Sequence, residues 1–297
     1  MLISGAGMAC LDYLYIAPET PRGGSAPISD FLIQGGGLVG TALVTCARLG
    51  AQAALYARLG KDEVGDRILR ELHAEGVDVE NVQLCPESTS PFSFIHVDKE
   101  TGERTIFFRS AHNIPSPIQH PDLRTVTRSN AALVDDSLMD LSLAVASAAK
   151  ANGIPVVGDM LPNSRNAELL ACVDALIVPR FFLESDGVQG DIDRALDAIR
   201  SYGPSIAVIT LGESGWVYSS PDGKGRGDAF SVDVVDTTGA GDVFHGAFAF
   251  GMASGWGTEM CCRFSAAVAA LKCTRMGGRA GIPSYQAAMA FIANQPD

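Results

Sequence analysis

The chain has 297 residues, 47% of them hydrophobic, and a formal net charge of -12. This size and composition predict a protein with a substantial buried core, and the acidic balance argues against general nucleic-acid binding, which needs an excess of Lys and Arg. No apolar run approaches the roughly 20 residues of a membrane span, and the first residues lack the basic segment of a signal peptide. We therefore expect a cytoplasmic protein with neither a membrane nor a nucleic-acid partner.

Seven cysteines are scattered along the chain, and none belongs to a C-x-x-C pair. An odd number without such pairs indicates neither a disulfide framework nor a zinc site. We expect most of these thiols to be small core residues.

Apolar runs alternate with segments of helical periodicity along most of the chain, which is typical of α/β units around a largely parallel sheet. The predicted strands of this body lie at 1–7, 53–60, 130–136, 154–160, 174–179 and 205–212. The predicted helices lie at 40–50, 64–76, 138–153, 166–173, 192–203, 242–255 and 258–274. A hairpin over 215–235, with its turn at Asp222 and Gly223, precedes the last two helices. No long linker divides the chain, so we predict one domain over 1–297.

Residues 90–109 follow a different pattern, because apolar and polar residues alternate on both sides of the polar stretch 98–103. Such alternation predicts an antiparallel hairpin with one solvent-exposed face. A second extended pair is predicted at 10–18 and 28–34. We expect the four segments to form a small β-sheet inserted into the body, over approximately 10–34 and 90–112, that acts as a lid or a dimer surface.

The stretch DTTGAGDVFHG, residues 236–246, has almost no side chain between two acids, at the predicted start of a helix. The amides of Gly239, Ala240 and Gly241 would point outward with the positive end of the helix dipole, which predicts a site for a phosphate or a developing oxyanion. Asp242 would lie in the first turn, where it could take a proton from an attacking hydroxyl. A helix N-cap with a tight glycine turn is the alternative interpretation.

A second glycine-rich stretch, QGGGLVG, formally matches the dinucleotide fingerprint through Gly35, Gly37 and Gly40. The match is weak, because the stretch follows a strand of the predicted lid rather than the first strand of the body. We favour the interpretation that Gly36 and Gly37 allow the backbone to approach a polyhydroxylated substrate. Asp12, just past the first strand, could accept two hydroxyls of that substrate, although an ordinary surface aspartate in a loop would look the same.

Another tight glycine turn, TLGESG at 210–215, ends a predicted strand. It is interpreted either as the entry to the hairpin or as a wall for the phosphates and ribose of a nucleotide. The sequence contains no G-x-x-x-x-G-K-[ST] motif, so phosphoryl transfer would not use a P-loop.

The stretches VVDTTGAGDVFHGAF and GGGLVGTALVTCARLG are similar to the C-terminal and N-terminal signatures of the ribokinase-like (PfkB) carbohydrate kinases. Further stretches resemble the family in the same order across the whole chain, including TGERTIFF, PVVGDMLPN and TRMGGRAGIP. The resemblance implies a Rossmann-like three-layer α/β sandwich and ATP-dependent phosphorylation of a sugar hydroxyl. Within the family, residues 232–283 look most like the sulfofructose kinases, which act on 6-deoxy-6-sulfofructose, and more distantly like ketohexokinase.

The resemblance also implies roles for individual residues. Asp242 would be the general base, and the transferred phosphoryl group would be stabilised by Gly239, Ala240 and Gly241. The residues expected to hold the sugar are Asp12, Gly36, Gly37 and Thr41, with Arg109 at the lid edge for a substrate anion. The residues expected along the nucleotide are Thr210, Gly212 and Gly215, with the adenine against Ala266 and Ala270. A monovalent cation such as K+ would be held by carbonyls near Asp236 and Thr238, and Mg2+ would bridge the ATP phosphates, largely through water.

Two positions depart from the family pattern. Thr41 stands where the family usually has an Asn that binds the sugar, and it is a shorter ligand. Arg180 stands at the Asn position of the N-x-x-E region that helps to organise Mg2+, and Glu184 lies one residue late. These departures affect the sugar and Mg2+ contacts and leave the predicted base and anion site intact.

We predict an ATP:sugar phosphotransferase that acts on a ketose-like monosaccharide and dimerises through the lid. A nucleoside kinase is an alternative within the family, because ribose presents similar hydroxyls. An NAD-dependent oxidoreductase that uses Gly35, Gly37 and Gly40, and a non-catalytic sugar-binding protein on a kinase fold, are alternatives from other classes.

Overall fold

A computed structural model describes residues 1–17, 23–99, 104–115 and 121–295 of the chain. The strands, in chain order, are β1 (Leu2–Ala6), β2 (Cys10–Ala17), β3 (Asp30–Gly36), β4 (Gln52–Gly60), β5 (Val77–Asp78), β6 (Val82–Cys85), β7 (Phe92–Asp98), β8 (Arg104–Arg109), β9 (Ala131–Asp135), β10 (Val156–Asp159), β11 (Ala175–Pro179), β12 (Ile206–Thr210), β13 (Trp216–Ser220) and β14 (Gly223–Gly227). The helices are α1 (Leu38–Arg48), α2 (Glu63–Ala74), α3 (Met139–Ala151), α4 (Ala167–Leu170), α5 (Ile192–Ser201), α6 (Ala240–Ala253), α7 (Thr258–Lys272) and α8 (Tyr285–Ala293).

The main sheet has ten strands within the described ranges, in the order β14-β13-β12-β11-β10-β9-β1-β4-β5, with β6 paired to β4. Neighbours from β12 to β5 run parallel, whereas β13 and β14 are antiparallel additions at one edge. The central strands are almost wholly apolar and buried, as in β11, because helices cover both faces of a parallel sheet. The predicted α/β body is therefore confirmed.

Two large clusters of buried side chains lie on opposite faces of this sheet, so that Leu176 belongs to one and its neighbour Ile177 to the other. One cluster contains residues of α1, α6 and α7, and the other contains residues of α3 and α5. This is the three-layer sandwich that the sequence predicts. None of the described helices combines the length and the apolar character that crossing a membrane requires.

A separate four-stranded sheet, in the order β3-β2-β7-β8, forms the predicted lid. Strand β2 pairs in parallel with β7 and antiparallel with β3, and β7 and β8 form the predicted hairpin. Leu14, Ile95 and Val97 make up its small buried core. The polar turn of the hairpin falls largely outside the described residues.

One helix and the lengths of two other elements differ from the sequence-based expectations. Helix α8 was not predicted, although the Ser284 hydroxyl caps it by accepting the N–H of Ala287 at 3.2 Å. The predicted helix at 166–173 is reduced to the single turn of α4. The predicted second strand of the hairpin ends early, at Gly227, and further along the amide of Val235 donates to the carbonyl of Cys273 after α7 instead of to the sheet.

Candidate active site

Helix α6 begins at Ala240, and Gly239 immediately before it has a φ of 72°, in the left-handed region that favours glycine. A Cβ on Gly241 would meet no atom within 4 Å, so the space beside the first turn is open. Within the described part of the chain, the N–H groups of Gly239 and Gly241 have no protein acceptor, whereas the N–H of Ala240 donates to the carbonyl of Thr237 at 3.2 Å. Two of the three amides expected to bind an anion are thus free, and the third is used by the turn itself.

Asp242 lies in the first turn of α6 and is half-buried. Burial raises the pKa of its carboxyl group, the nearby carboxylate of Asp159 raises it further, and His245 and Arg104 lower it. Asp159 ends β10 and Arg104 begins β8, so the body and the lid both contribute charge to this carboxylate. A carboxylate with a raised pKa accepts a proton during reaction more readily than an ordinary surface aspartate.

Asp12 reaches the same site from strand β2 of the lid, and its charge also raises the pKa of Asp242. The side chain is buried, accepts the Sγ–H of Cys10 at 3.3 Å, and has its own pKa raised by this burial. A Cβ on Gly36 would lie 1.9 Å from Oδ2 of Asp12, and Gly37 has a φ of 89°. The di-glycine therefore allows β3 to pack directly against the Asp12 carboxylate.

Thr41 lies in α1 with only 1% of its surface exposed. Its hydroxyl oxygen accepts the Nε–H of Arg279 at 3.3 Å, and Nη2 of the same guanidinium donates to the carbonyl of Gly36 at 2.9 Å. Nη1 of Arg279 is buried and has no hydrogen-bond partner within the described part of the chain. Thr41 thus contacts a buried guanidinium next to the di-glycine, and a direct contact between Thr41 and the sugar stays a prediction.

Arg109 lies at the end of β8, on the face of the lid opposite to Asp12. In the sheet register Arg109 lies beside Phe92, with its guanidinium 5.8 Å from that ring, whereas Asp12 lies beside Ser93. Successive residues of a strand point to opposite faces, so Phe92 and Ser93 mark the two sides of the lid. The lid therefore separates Arg109 from Asp12, and the expected contact of Arg109 with a substrate anion at the lid edge stays a prediction.

Two polar residues that the sequence analysis did not single out lie on the Asp12 face of the lid. Arg104 donates from Nη1 to Oγ1 of Thr237 at 3.0 Å and so joins the lid to the loop before α6. Gln34 is the register partner of Asp12, and its Nε2 is buried without a hydrogen-bond partner among the described residues. The alternation within β3 and β8 was the signal that could have assigned both to this face.

The expected nucleotide residues lie on two neighbouring parts of the body. Thr210 ends β12, and Gly212, which follows it, has a φ of 64° and open space where a Cβ would be. Gly215 has a φ of 86° and no room for a side chain, because the hairpin backbone packs against it. Ala266 and Ala270 are one turn apart on α7, and both are half-buried. Open backbone at Gly212 and small residues on α7 leave space beside this edge of the body, and the nucleotide contacts of all five residues stay predictions.

A profile of the pfkB family of carbohydrate kinases matches residues 9–284. The chain belongs to this family. The ribokinase of Haemophilus influenzae is 29% identical over 280 residues, which span 89% of each chain. An ATP-dependent ribose-1-phosphate kinase of Halopiger xanaduensis is 26% identical, with 92% of each chain covered. The structure is similar to that of the Arabidopsis thaliana ribokinase complexed with ribose and ATP, with a TM-score of 0.85, 23% identity and 99% of each chain covered.

As a member of the pfkB family, the protein is a phosphotransferase with an alcohol group as acceptor. The expected cofactors ATP and Mg2+ are consistent with a similar solved structure that contains both. No group of three or more described side chains could hold a metal ion by itself. Burial and two neighbouring aspartates raise the pKa of Asp159, and burial and the Asp159 carboxylate raise the pKa of Asp242, so both carboxyl groups are disfavoured in the charged form that binds a metal ion. This fits a Mg2+ ion that brings most of its ligands as phosphate oxygens and water. Arg180 and Glu184, at the position of the family's N-x-x-E region, are both exposed.

A monovalent cation is expected at carbonyls near Asp236 and Thr238, and the oxygens of Asp236 already have hydrogen-bond partners in the protein. Oδ1 of Asp236 accepts the N–H of Thr238, and Oδ2 accepts the N–H of Gly277, both at 2.7 Å. Its main-chain carbonyl accepts from Nζ of Lys272, also at 2.7 Å, and Lys272 is fully buried. All three oxygens of Asp236 therefore already accept hydrogen bonds from the protein, one of them from an amino group.

His245 lies one turn after Asp242 in α6 and connects this helix to the main sheet. Its Nδ1 lies 2.7 Å from the carbonyl of Gly241 and its Nε2 3.1 Å from the carbonyl of Ile177, while Nε2 is also 3.4 Å from Oδ1 of Asp159. Burial lowers the pKa of the imidazole. The first turn of α6, which carries the amides and the candidate base, is thus tied to the middle of β11 in this pfkB-family site.

Proposed function

We propose that this pfkB-family kinase transfers the γ-phosphoryl group of ATP to a hydroxyl of a ketose-like monosaccharide, with Asp242 as the general base. The observation that carries this proposal is the convergence of Asp242, Asp12 and the free amides of Gly239 and Gly241 between the lid and the start of α6. A carboxylate beside an anion site suits a reaction in which a hydroxyl loses a proton while a phosphoryl group arrives.

In the proposed mechanism, Asp12 and the backbone of the di-glycine orient the sugar. The hydroxyl proton passes to the Asp242 carboxylate as the oxygen attacks the γ-phosphorus and the bond to the ADP oxygen breaks. The amides of Gly239 and Gly241, at the positive end of the helix dipole, stabilise the charge on the transferred group. Mg2+ bound with ATP supplies neutralisation of phosphate charge when it is present.

A polar sugar is supported by unpartnered groups near the di-glycine. Nη1 of Arg279 and Nε2 of Gln34 are both buried donors without an acceptor in the described part of the chain. Buried donors of this kind are costly unless a ligand pairs with them. Because one of these groups is cationic and a similar protein is a ribose-1-phosphate kinase, sugars with an anionic substituent belong in the substrate test.

ADP release should be measured with ATP and Mg2+ over a panel of ketoses, aldoses, phosphorylated and sulfonated sugars, and nucleosides. We expect turnover with at least one ketose-like sugar and weaker turnover with nucleosides. If a nucleoside is turned over faster than any sugar, the protein is a nucleoside kinase and the ketose assignment is wrong. Absence of turnover with every compound, together with sugar binding in calorimetry, would favour a non-catalytic sugar-binding protein, and binding of NAD instead of ATP would favour an oxidoreductase.

We also propose that two copies associate through the outer face of the lid, in a cytoplasmic enzyme. Phe31, Phe94 and Phe107 project from that face and are 56%, 47% and 55% exposed. Exposed aromatic side chains grouped on one sheet face are typical of an interface.

A further inference from the structure

Lys272, the last residue of α7, is fully buried, and its amino group contacts a backbone carbonyl. Its Nζ donates to the carbonyl of Asp236 at 2.7 Å. A buried lysine is rare unless its amino group is paired, so this position has a specific function in the fold. The carbonyl it contacts belongs to the loop that leads into the anion site at the start of α6.

The same loop is held from several directions. Val235 and Asp236 donate their amides to the carbonyl of Cys273, and Gly277 donates to the Asp236 carboxylate. Thr238, two residues before the helix start, donates to the other oxygen of that carboxylate at 2.7 Å. Lys272 supplies the donor to the one remaining oxygen of Asp236. Its amino group therefore completes the set of contacts that fixes the carbonyls and, through them, the amides of Gly239 and Gly241.

The carbonyl of Asp236 is one of those expected to hold a monovalent metal ion in this loop. An ion coordinated by the Asp236 carbonyl would lie within a few ångströms of Nζ, and two positive charges at that distance in a buried site repel each other. The amino group and the ion are thus alternative occupants of one position.

We propose that Lys272 takes the place of a monovalent cation in this loop, so that the kinase reaches full activity without K+. The inference rests on the proposed kinase function, and it assigns Lys272 as a positioning residue that acts through the loop, without touching the substrate. It also implies that removing the amino group creates a cation site where the wild-type chain has none.

The first test compares wild-type ADP release, and wild-type melting temperature, in a buffer whose only monovalent cation is tetramethylammonium and in the same buffer with KCl. We expect less than about a twofold difference in kcat and no K+-specific shift in melting temperature, since a ligand that does not bind the folded state cannot stabilise it. Activation of the wild-type enzyme by K+ well beyond that factor would overturn the proposal.

The second test uses Lys272→Met, which keeps most of the apolar side chain and removes the amino group, and Lys272→Ala, which leaves more space. In tetramethylammonium we expect kcat to fall at least about tenfold and the melting temperature to drop, and we expect KCl to restore a large part of both, because K+ now binds the vacant position. The matched control is Lys150→Met, which removes another lysine–carbonyl contact, to Ala171, on the surface.

Variants that lose activity and stability without any K+-specific recovery in either measurement would show that Lys272 only fills the core, and the proposal would fail. The melting-temperature arm does not depend on turnover. A wild-type protein inactive on every sugar would therefore refute the kinase assignment while the cation inference is still decided by thermal stability.

Discussion

Asp242 lies beside the free amides at the start of α6, whereas Asp236, the other acid of this stretch, holds the loop in place. Asp236 uses all its oxygens to hold the backbone of the loop, whereas Asp242 is half-buried beside the open space at Gly241. The two carboxylates that look alike in the sequence are therefore a structural residue and a candidate base.

Replacement of Asp242 by Asn should lower kcat by roughly 10³-fold, because proton transfer by a positioned base contributes about 10²- to 10⁴-fold. ATP binding should remain, since the amides and the nucleotide residues are unchanged. Steady-state kinetics and calorimetry with ATP and Mg2+ measure the two effects. The matched control is Asp222→Asn, in the exposed turn of the hairpin. Turnover within about threefold of the wild type would remove Asp242 from the base role.

The raised pKa of Asp242 predicts a pH dependence. A base must be ionised to act, so its activity is present above its pKa and is lost as the pH falls through it. Burial and the Asp159 carboxylate raise this pKa, and kcat/KM should therefore begin to fall at a pH well above about 3.9, the ordinary value for aspartate. A pH profile of kcat/KM tests this. Full activity down to about pH 4.5 with a folded enzyme would contradict the environment assigned to Asp242.

At the scale of elements, the lid contributes to the site through only a few contacts. Asp12 and Gln34 lie on its inner face, and Arg104 joins β8 to the loop before α6. Strand β8 is exposed along its whole length, and the Arg104 contact to Thr237 joins its first residue to the loop before the anion site.

Arg104→Ala should lower kcat roughly tenfold, which is the effect expected from losing one hydrogen bond and one nearby positive charge. The melting temperature should change little, because Arg104 is exposed. Thr105→Ala, the next residue of the same strand, points to the other face and is the control. Equal activity of the two variants would show that the lid is held in place without Arg104.

At the scale of the molecule, the outer lid face predicts a homodimer. Phe94 and Phe107 are register partners on adjacent strands, and Phe31 lies on the same face of the sheet, on the other side of β2. Light scattering after size exclusion should give the mass of two chains. Phe107→Glu should shift it to one chain, because a carboxylate cannot be buried unpaired in such an interface.

Phe181→Glu is the matched control for the dimer, since Phe181 lies on the body and is exposed to the same 55%. Two results would refute the lid interface. One is a wild-type protein that is monomeric at all concentrations, and the other is a Phe107→Glu variant that keeps the dimer mass.

Local sequence patterns determined the α/β body, the inserted sheet, the glycine turn before α6 and the candidate base, because periodicity, glycine and short-range spacing act within a few residues. Sequence could not place Arg109, whose face depends on the register of β8 against β7. Nor could it show that Lys272 ends at Asp236, 36 residues earlier in the chain, or that Arg279 reaches Thr41. Those contacts join residues distant in sequence, so only the packing of α1, α7 and the lid around one loop decides them.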